Sequence, residues 1–175
     1  MESVMDAYAR DVARSRADKD RYLGSSPDSP LQGGDFAGLS YYPVSALYRL
    51  RASLELFAEP ETVRLETSRA EAQPYLRAGR AVFTLAGQTC TLTLYRPTFA
   101  TPNERFFIPF RDATSGKETY GAGRYLEAES QAAGHVLLDF NTCYHPYCAY
   151  SPRYLCPLPP SENWLMVSVH AGEKL

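Results

Sequence analysis

The chain has no long apolar run. None of its segments approaches the roughly 18 consecutive apolar residues that a membrane-spanning helix needs. Residues 1–23 are heavily charged and lack the apolar core of a signal peptide. These absences predict that the protein neither enters a membrane nor is exported, so we expect a cytoplasmic location.

The chain also lacks an excess of charge of either sign. Its 18 basic and 20 acidic residues give a net charge of −2, and the two signs are interleaved along the sequence. A protein that binds the phosphate backbone needs a basic face, so nucleic acid is not an expected partner. Cysteine is scarce, with four in the chain, and in a cytoplasmic protein we expect these to be thiols.

What is present suffices for a packed domain, because 45% of the residues are hydrophobic and 22% are charged. A chain of 175 residues fits one domain. We expect a single domain over residues 1–175, made of an N-terminal helix at 1–23, a wrapping loop at 24–43 and a β body at 44–175. Ser3 is the expected cap of the helix.

Beyond the loop, alternating apolar and polar residues predict strands. Two such runs flank Ala86-Gly87-Gln88, which is a hairpin signal. The predicted strands cover Tyr48–Leu56, Val63–Thr67, Ala81–Leu85, Thr89–Tyr95, Arg105–Phe110, Arg124–Ala128, Val136–Phe140 and Trp164–His170. Consecutive short strands predict a mainly β (α+β) fold. We expect an antiparallel meander curled into a small barrel or sandwich, with one N-terminal helix.

The stretch from Arg111 to Pro160 holds the candidate site. It contains three of the four cysteines and two of the three histidines, together with many tyrosines and glycines. Such residues suit fixed turns, half-buried hydroxyls and a polar pocket. We expect an irregular strap at 141–163, rich in Tyr, Cys and Pro, to close the mouth of the β body. Tyr150 is one of the tyrosines that would hold it there.

A first group of polar residues surrounds a turn. Asp112, Thr119, Tyr120 and Arg124 either make this turn rigid or line a pocket. The Tyr120–Arg124 segment lacks the third glycine and the following helix of a phosphate-binding loop, so we do not expect a nucleotide site.

A second group follows the predicted strand Val136–Phe140. Alternation puts Asp139 and Asn141 on one strand face, where they either bind a ligand or form a buried network. A buried Asp139 would stay ionised beside an arginine, and Arg124 is the nearest in sequence, so we predict that these two pair. Asn163 and Glu173 complete the candidates; Glu173 could close the site as an acid or base, although we favour a surface salt bridge for it.

Three cysteines have the spacing C-x4-C-x7-C, with His145 between the first two. This spacing is a poor match to the compact cysteine pairs of zinc sites, and no second pair completes four ligands. We therefore predict neither a metal nor a cofactor. The alternatives are packed inert thiols, a Cys148–Cys156 disulfide, and a catalytic Cys148 thiolate activated by His145 and assisted by Asp139.

Long segments of the chain read FRDATSGKETYGAGRYL, LDFNTCYHPYCAYSPRYLCPLPPSENWL and HAGEKL, and GLSYYPV precedes YRLRASL. They resemble the bacterial and archaeal family called domain of unknown function 1684, and the resemblance covers nearly the whole chain. It implies no known activity. The site that it implies comprises Asp112, Thr119, Tyr120, Arg124, Asp139, Asn141, Cys148, Tyr150, Cys156, Pro157 and Asn163. Where the family pattern DFN-x-A-Y-N-P has Ala and Asn, this chain has Cys143 and His145, which weakens any mechanism based on these two.

The sequence is compatible with three functions. We favour a pocket in the C-terminal half that binds a small polar molecule. The first alternative is a cysteine-dependent hydrolase or acyl-transfer enzyme that uses Cys148, with Asp139 or Glu173 assisting. The second is a structural or partner-binding domain without a small-molecule site.

Overall fold

The structure is a computed structural model that describes residues 4–31, 36–69, 71–99 and 105–175. Ser3, the expected helix cap, lies outside these residues. The first element is helix α1, Val4–Ser25. Strands follow in the order β1 Ser40–Tyr41, β2 Arg49–Glu66, β3 Ala72–Leu85, β4 Gln88–Pro97, β5 Phe106–Phe110, β6 Arg124–Ala128, β7 Ser130–Gln131, β8 His135–Asp139 and β9 Glu173–Lys174.

Seven of these strands form one antiparallel sheet in the order β6-β5-β4-β3-β2-β8-β7. The sheet curls so far that β6 and β8 contact each other. Within the described residues the two ends are not hydrogen-bonded into a closed barrel. The mainly β class, the antiparallel meander and the N-terminal helix are confirmed, in an open and strongly curled form.

The hairpin between β3 and β4 shows how local sequence sets the register. Ala86 and Gly87 connect the strands, and both have positive φ angles, of 50° and 75°. A two-residue turn with both central residues in this region is of type I′, whose twist matches that of the strands. It pairs Leu85 with Gln88. The predicted hairpin is confirmed.

Two predicted strands, Tyr48–Leu56 and Val63–Thr67, belong to the single strand β2. Its pairing with β3 is irregular between Leu56 and Glu61, and Pro60 lies inside that interval. Proline donates no ladder hydrogen bond and is tolerated at such bulges. The local sequence therefore interrupts the ladder without ending the strand.

The core covers the concave face of the curled sheet. Phe140 packs against Phe83 and Phe110, with ring centroids 5.9 Å and 5.4 Å apart. The same cluster also contains Ala52, Leu92, Leu94, Ile108, Leu126, Val136, Leu138, Leu165, Val167, Val169 and Ala171. Four of these come from the C-terminal segment, which therefore closes the core.

The predicted strand Trp164–His170 is wrong. Side chains in this segment do alternate between buried and exposed, but the segment makes one isolated bridge, between Trp164 and Arg111, and no regular ladder in the described part of the chain. Leu165 and Val167 bond to the backbone of Arg111 and Ala113, and beyond them the backbone bonds to side chains. The amide of Val169, for example, donates to Asp112 at 2.7 Å.

Helix α1 lies against the C-terminal half of the chain. Val12 and Leu23 are buried, while Arg16 and Lys19 between them are half-buried. Their spacing places all four on one helix face. Among the helices that the structure describes, none combines the length and the apolar character needed to cross a membrane.

The predicted loop 24–43 contains a strand that the sequence reading missed. β1 pairs with β9 in a small second sheet, with Tyr41 opposite Glu173. Two-residue strands are too short to show alternation, so only their partner reveals them. Through this pairing the loop and the C-terminal segment meet beside α1.

Candidate functional site

Arg124 and Asp112 form a buried ion pair that holds the C-terminal segment. Arg124 is fully buried, and its guanidinium donates to Asp112 Oδ1 at 3.2 Å, to the carbonyls of Val169 and Ala171 at 2.8 Å and 2.6 Å, and to that of Glu173 at 3.0 Å. These bonds offset the cost of burying two charges. The pair therefore acts as a clamp on residues 169–173.

The turn before Arg124 is tied internally. The hydroxyl of Thr114 donates to Asp112 Oδ2 at 2.8 Å and lies 3.0 Å from the hydroxyl of Thr119. The amide of Tyr120 donates to His145 Nε2 at 3.3 Å. Asp112 and Thr119 thus make the turn rigid. Of the two roles expected for them, rigidity of the turn or lining of a pocket, the hydrogen bonds support the first.

Asp139 lies in a different network from Arg124. It accepts a hydrogen bond from the hydroxyl of Tyr8 at 2.6 Å and pairs with Arg49 at 3.5 Å. Burial and the neighbouring carboxylate raise the pKa of Tyr8. In the described structure, Asp139 is paired with Arg49, and Arg124 is paired with Asp112. The predicted Arg124–Asp139 pair is therefore wrong.

Asn141 and Asn163 are buried residues that join separate segments. β8 ends at Asp139, so Asn141 lies in a short 3₁₀ helix rather than on the same strand face. Its amide group exchanges two hydrogen bonds with the backbone of Ser45, both 2.9 Å long. Asn163 bonds both backbone groups of Thr93 on β4. Both side chains replace backbone pairing where the chain is irregular.

A cavity of about 700 Å³ opens between α1, the sheet and the strap. Its wall draws on distant parts of the chain and is rich in tyrosine. The residues that line it are Val12, Ser15, Arg16, Lys19, Tyr41, Gln73, Tyr75, Phe107, Tyr125, Asn141, Thr142, Cys143, Tyr144, Pro146, Tyr147, Tyr154, Leu155, Cys156, Pro157 and Glu173. Of the predicted site residues, the structure brings Asn141, Cys156, Pro157 and Glu173 to this wall.

Glu173 is the acidic group of the cavity wall. It is 2% exposed, so the surface salt bridge considered for it is wrong. Lys19 pairs with its Oε1, while the hydroxyl of Tyr150 and the amide of His145 both donate to its Oε2 at 2.7 Å. Burial and the adjacent carboxylate raise the pKa of Tyr150. Tyr150 therefore holds the strap through Glu173.

His145 is neutral near pH 7. Burial and the charges of Arg124 and Lys19 lower its pKa to about 4. Because Nε2 accepts from the amide of Tyr120, the ring proton lies on Nδ1, 4.0 Å from Glu173 Oε2. One ring nitrogen thus bonds the turn and the other faces Glu173, so neither has a cysteine as its partner in the described structure.

All four cysteines are free thiols. The amide of Cys148 donates to Cys156 Sγ at 3.3 Å. Hydrogen bonding from the Cys148 thiol lowers the pKa of Cys156 below that of an ordinary thiol, and the same contact raises the pKa of Cys148. Of the two sulfurs, Cys156 is the one whose ionised form the surroundings favour, whereas the catalytic alternative of the sequence analysis named Cys148 with His145 as its base. Within the described residues, no group of three or more His, Cys, Asp or Glu side chains is arranged to hold a metal ion.

A sequence profile of the family described as "Protein of unknown function (DUF1684)" matches residues 34–174. The chain belongs to this family. It is also similar to an uncharacterised protein of Haloarcula marismortui whose structure was solved by NMR in solution. The two are 36% identical over 100% of this chain and 98% of that chain, with a TM-score of 0.77. No curated protein matches the chain.

Several wall residues of this DUF1684 member were missed in the sequence reading. Arg16 and Lys19 lie on α1, and Tyr41, Tyr75 and Phe107 lie on β1, β3 and β5. The two cations continue the spacing of buried residues along α1, and this was the available signal. The aromatic residues gave none, because an inward-facing aromatic residue in a strand reads as core.

Proposed function

We propose that this protein binds a small molecule in the cavity beside α1, and that the molecule has an aromatic or apolar body and one anionic group. The observation that carries the proposal is a tyrosine-lined cavity of about 700 Å³ with Arg16 in its wall. Small-molecule sites usually enclose about 300–1,000 Å³ and combine apolar walls with a few placed polar groups.

The charge of the wall supports an anionic ligand. Lys19 is paired with Glu173, so these two charges cancel. Arg16 instead donates to the backbone carbonyls of Tyr42 at 2.9 Å and Asn141 at 3.1 Å. Carbonyl groups orient a guanidinium without neutralising it. Arg16 therefore keeps a positive charge that its hydrogen-bond partners do not cancel, and a carboxylate or a phosphate group would match it.

The aromatic residues support a flat or apolar body. The ring of Tyr75 stacks on that of Phe107 with centroids 5.4 Å apart, and Tyr125 meets Phe107 edge-on at 4.7 Å. Tyr144 continues the row against Tyr125 at 5.8 Å. Such a row offers ring faces and edges to another aromatic group.

Titration with benzoate and 2-naphthoate, each compared with its carboxamide, tests the proposal. We expect the carboxylates to bind more tightly, and Arg16→Gln to weaken them about tenfold or more, because a hydrogen bond to a charged group contributes about 1.5–3 kcal/mol. Arg14→Gln is the matched control, since Arg14 lies on the same helix and is 74% exposed. Equal affinity for acid and amide, or equal effects of the two substitutions, would refute the proposal.

A cysteine-dependent hydrolase or acyl-transfer enzyme is the second candidate. The observation in its favour is that Cys156 lies in the wall of the same cavity. Asp139, expected to assist the nucleophile, bonds instead to Tyr8 and Arg49. Binding is therefore the better supported of the two, and the open cavity favours it over a purely structural domain.

A further inference from the structure

Two thiols of the strap lie close together, and one of them lines the cavity. Cys156 lines the cavity although its side chain is 7% exposed. The amide nitrogen of Cys148 lies 3.3 Å from the Cys156 sulfur. Since the Cys148 side chain is only two bonds from that nitrogen, rotation about its χ1 angle brings the second sulfur towards the first. The two thiols are therefore within reach of each other at a surface that small molecules can enter.

The surroundings assign different roles to the two sulfurs. Cys156 accepts hydrogen bonds from the Cys148 thiol and from the Cys148 amide, and the same contact raises the pKa of Cys148. The titratable groups that face Cys156 are Cys148, Tyr75, Tyr120 and Tyr125. Burial raises the pKa of each of these tyrosines, so they stay neutral near pH 7. Thiolate character is thus concentrated on Cys156.

Cys156 is also the fixed member of the pair. Its amide donates to the Ser68 hydroxyl at 3.3 Å, and the Ser68 amide donates to its carbonyl at 3.1 Å. Cys148 lies in the short 3₁₀ helix Tyr147–Ala149 and is half-buried. An anchored nucleophile beside a second thiol on a separate short helix is the arrangement of an attacking and a resolving cysteine.

We propose that Cys156 is a peroxide-reactive thiolate and Cys148 its resolving thiol, so that a small hydroperoxide entering the cavity converts the pair into a disulfide. This site goes beyond ligand binding and does not depend on the anionic ligand. It is an oxidation site whose substrate class is a hydroperoxide, of which hydrogen peroxide is the simplest.

The chemistry balances in two steps. The Cys156 thiolate attacks one peroxide oxygen, an S–O bond forms, the O–O bond breaks, and the leaving alkoxide or hydroxide takes a proton from solvent. Cys156 becomes a sulfenic acid and the peroxide is reduced. Cys148 then attacks the Cys156 sulfur, the S–S bond forms, and the S–O bond breaks. The departing hydroxide takes the Cys148 proton and leaves as water. Two thiols and one hydroperoxide thus give a disulfide, an alcohol or water, and a further water.

Treatment of the purified protein with hydrogen peroxide, followed by alkylation and peptide mass spectrometry, tests the site. We expect a Cys148–Cys156 cross-linked peptide that has lost two hydrogen atoms, while Cys90 remains open to alkylation. Cys148→Ser should stop at the sulfenic acid, trapped by dimedone on Cys156. Cys156→Ser should leave Cys148 reduced. Cys90→Ser is the matched control and should behave as the wild type does.

A second readout needs no variant. The alkylation rate of Cys156 should level off well below pH 8.5, because the contact with Cys148 lowers its pKa, whereas that of an ordinary thiol keeps rising about tenfold per pH unit until about pH 8.5. The shape of this profile is independent of how accessible each sulfur is. A Cys156 rate that follows the ordinary profile, equal peroxide oxidation of Cys156 and Cys90, or a dimedone adduct on Cys148 instead of Cys156 would each overturn the proposal.

Discussion

Replacement of Asp112 by Asn tests the clamp on the C-terminal segment. The side chains of Arg124 and Asp112 are 0% and 1% exposed. Oδ1 of Asp112 accepts from Arg124, while Oδ2 accepts from the amide of Val169. An asparagine has one oxygen and one NH₂ group, so either orientation places a donor against a donor. The substitution also leaves a buried guanidinium without its counter-charge. Removing one partner of a buried pair costs about 3–5 kcal/mol, a large share of the roughly 5–15 kcal/mol that stabilises a domain.

Urea denaturation of the two proteins measures this cost. Glu55→Gln is the control, because it breaks an ion pair with Arg80 whose side chains are 48% and 51% exposed. Such surface pairs contribute about 0–1 kcal/mol. Hydrogen exchange should also show faster exchange at residues 169–173 in Asp112→Asn. If this variant stays within about 1 kcal/mol of the wild type, the clamp does not stabilise the fold as we argue.

Two further predictions concern the same end of the molecule. The pKa of His145 is lowered from 6.5 to about 4 in the folded protein, so the unfolded chain binds the proton more tightly. The resulting stability is present at pH 7 and is lost as the pH falls from 6.5 towards 4. Urea denaturation at pH 7 and at about pH 4.5 should therefore show a loss about 2–3 kcal/mol larger for the wild type than for His145→Asn; equal losses would contradict the neutral buried ring. Gly172 and Gly87 have φ angles of 73° and 75°, but a Cβ at Gly172 would overlap Cys143, whereas one at Gly87 meets nothing within 4 Å. Gly87→Ala should thus show only backbone strain of about 1–2 kcal/mol, and thermal unfolding should show a markedly larger loss for Gly172→Ala; similar shifts would disprove the close approach.

Local sequence predicts the elements whose hydrogen bonds are local. The bounds predicted for Arg124–Ala128 are those of β6, and the β3–β4 hairpin follows from its turn residues. Trp164–His170 has the alternation of a strand, and its side chains alternate in burial. It forms no regular ladder because only Leu165 and Val167 bond to a neighbouring backbone, whereas Val169 bonds to the side chains of Asp112 and Arg124, which are far away in sequence. Alternation with a period of two shows which side chains share a face, but it does not show which segment the backbone bonds to.

The residues of the candidate site, too, could be predicted only in part. Residue type identified Asn141 and Cys156 in advance, and both line the cavity. It also selected Asp112 and Arg124, whose charges serve the clamp, because a buried charge looks the same in sequence whether it binds a ligand or a neighbour. Arg16 continues the helical spacing of the buried residues, but it was missed because a helix does not show which segment will cover its charged side chains.

The way in which α1 meets the rest of the chain also sets an order of assembly. Its hydrogen bonds join residues separated by 131 positions for Tyr8 and Asp139, 125 for Arg16 and Asn141, and 154 for Lys19 and Glu173. Contacts at such separations form late in folding, because each closes a long loop of chain. During synthesis, Lys19 leaves the ribosome long before Glu173 is added. The helix face that carries Val12, Arg16, Lys19 and Leu23 therefore stays exposed until the C-terminal half has been made, and the cavity forms as one of the last events of folding.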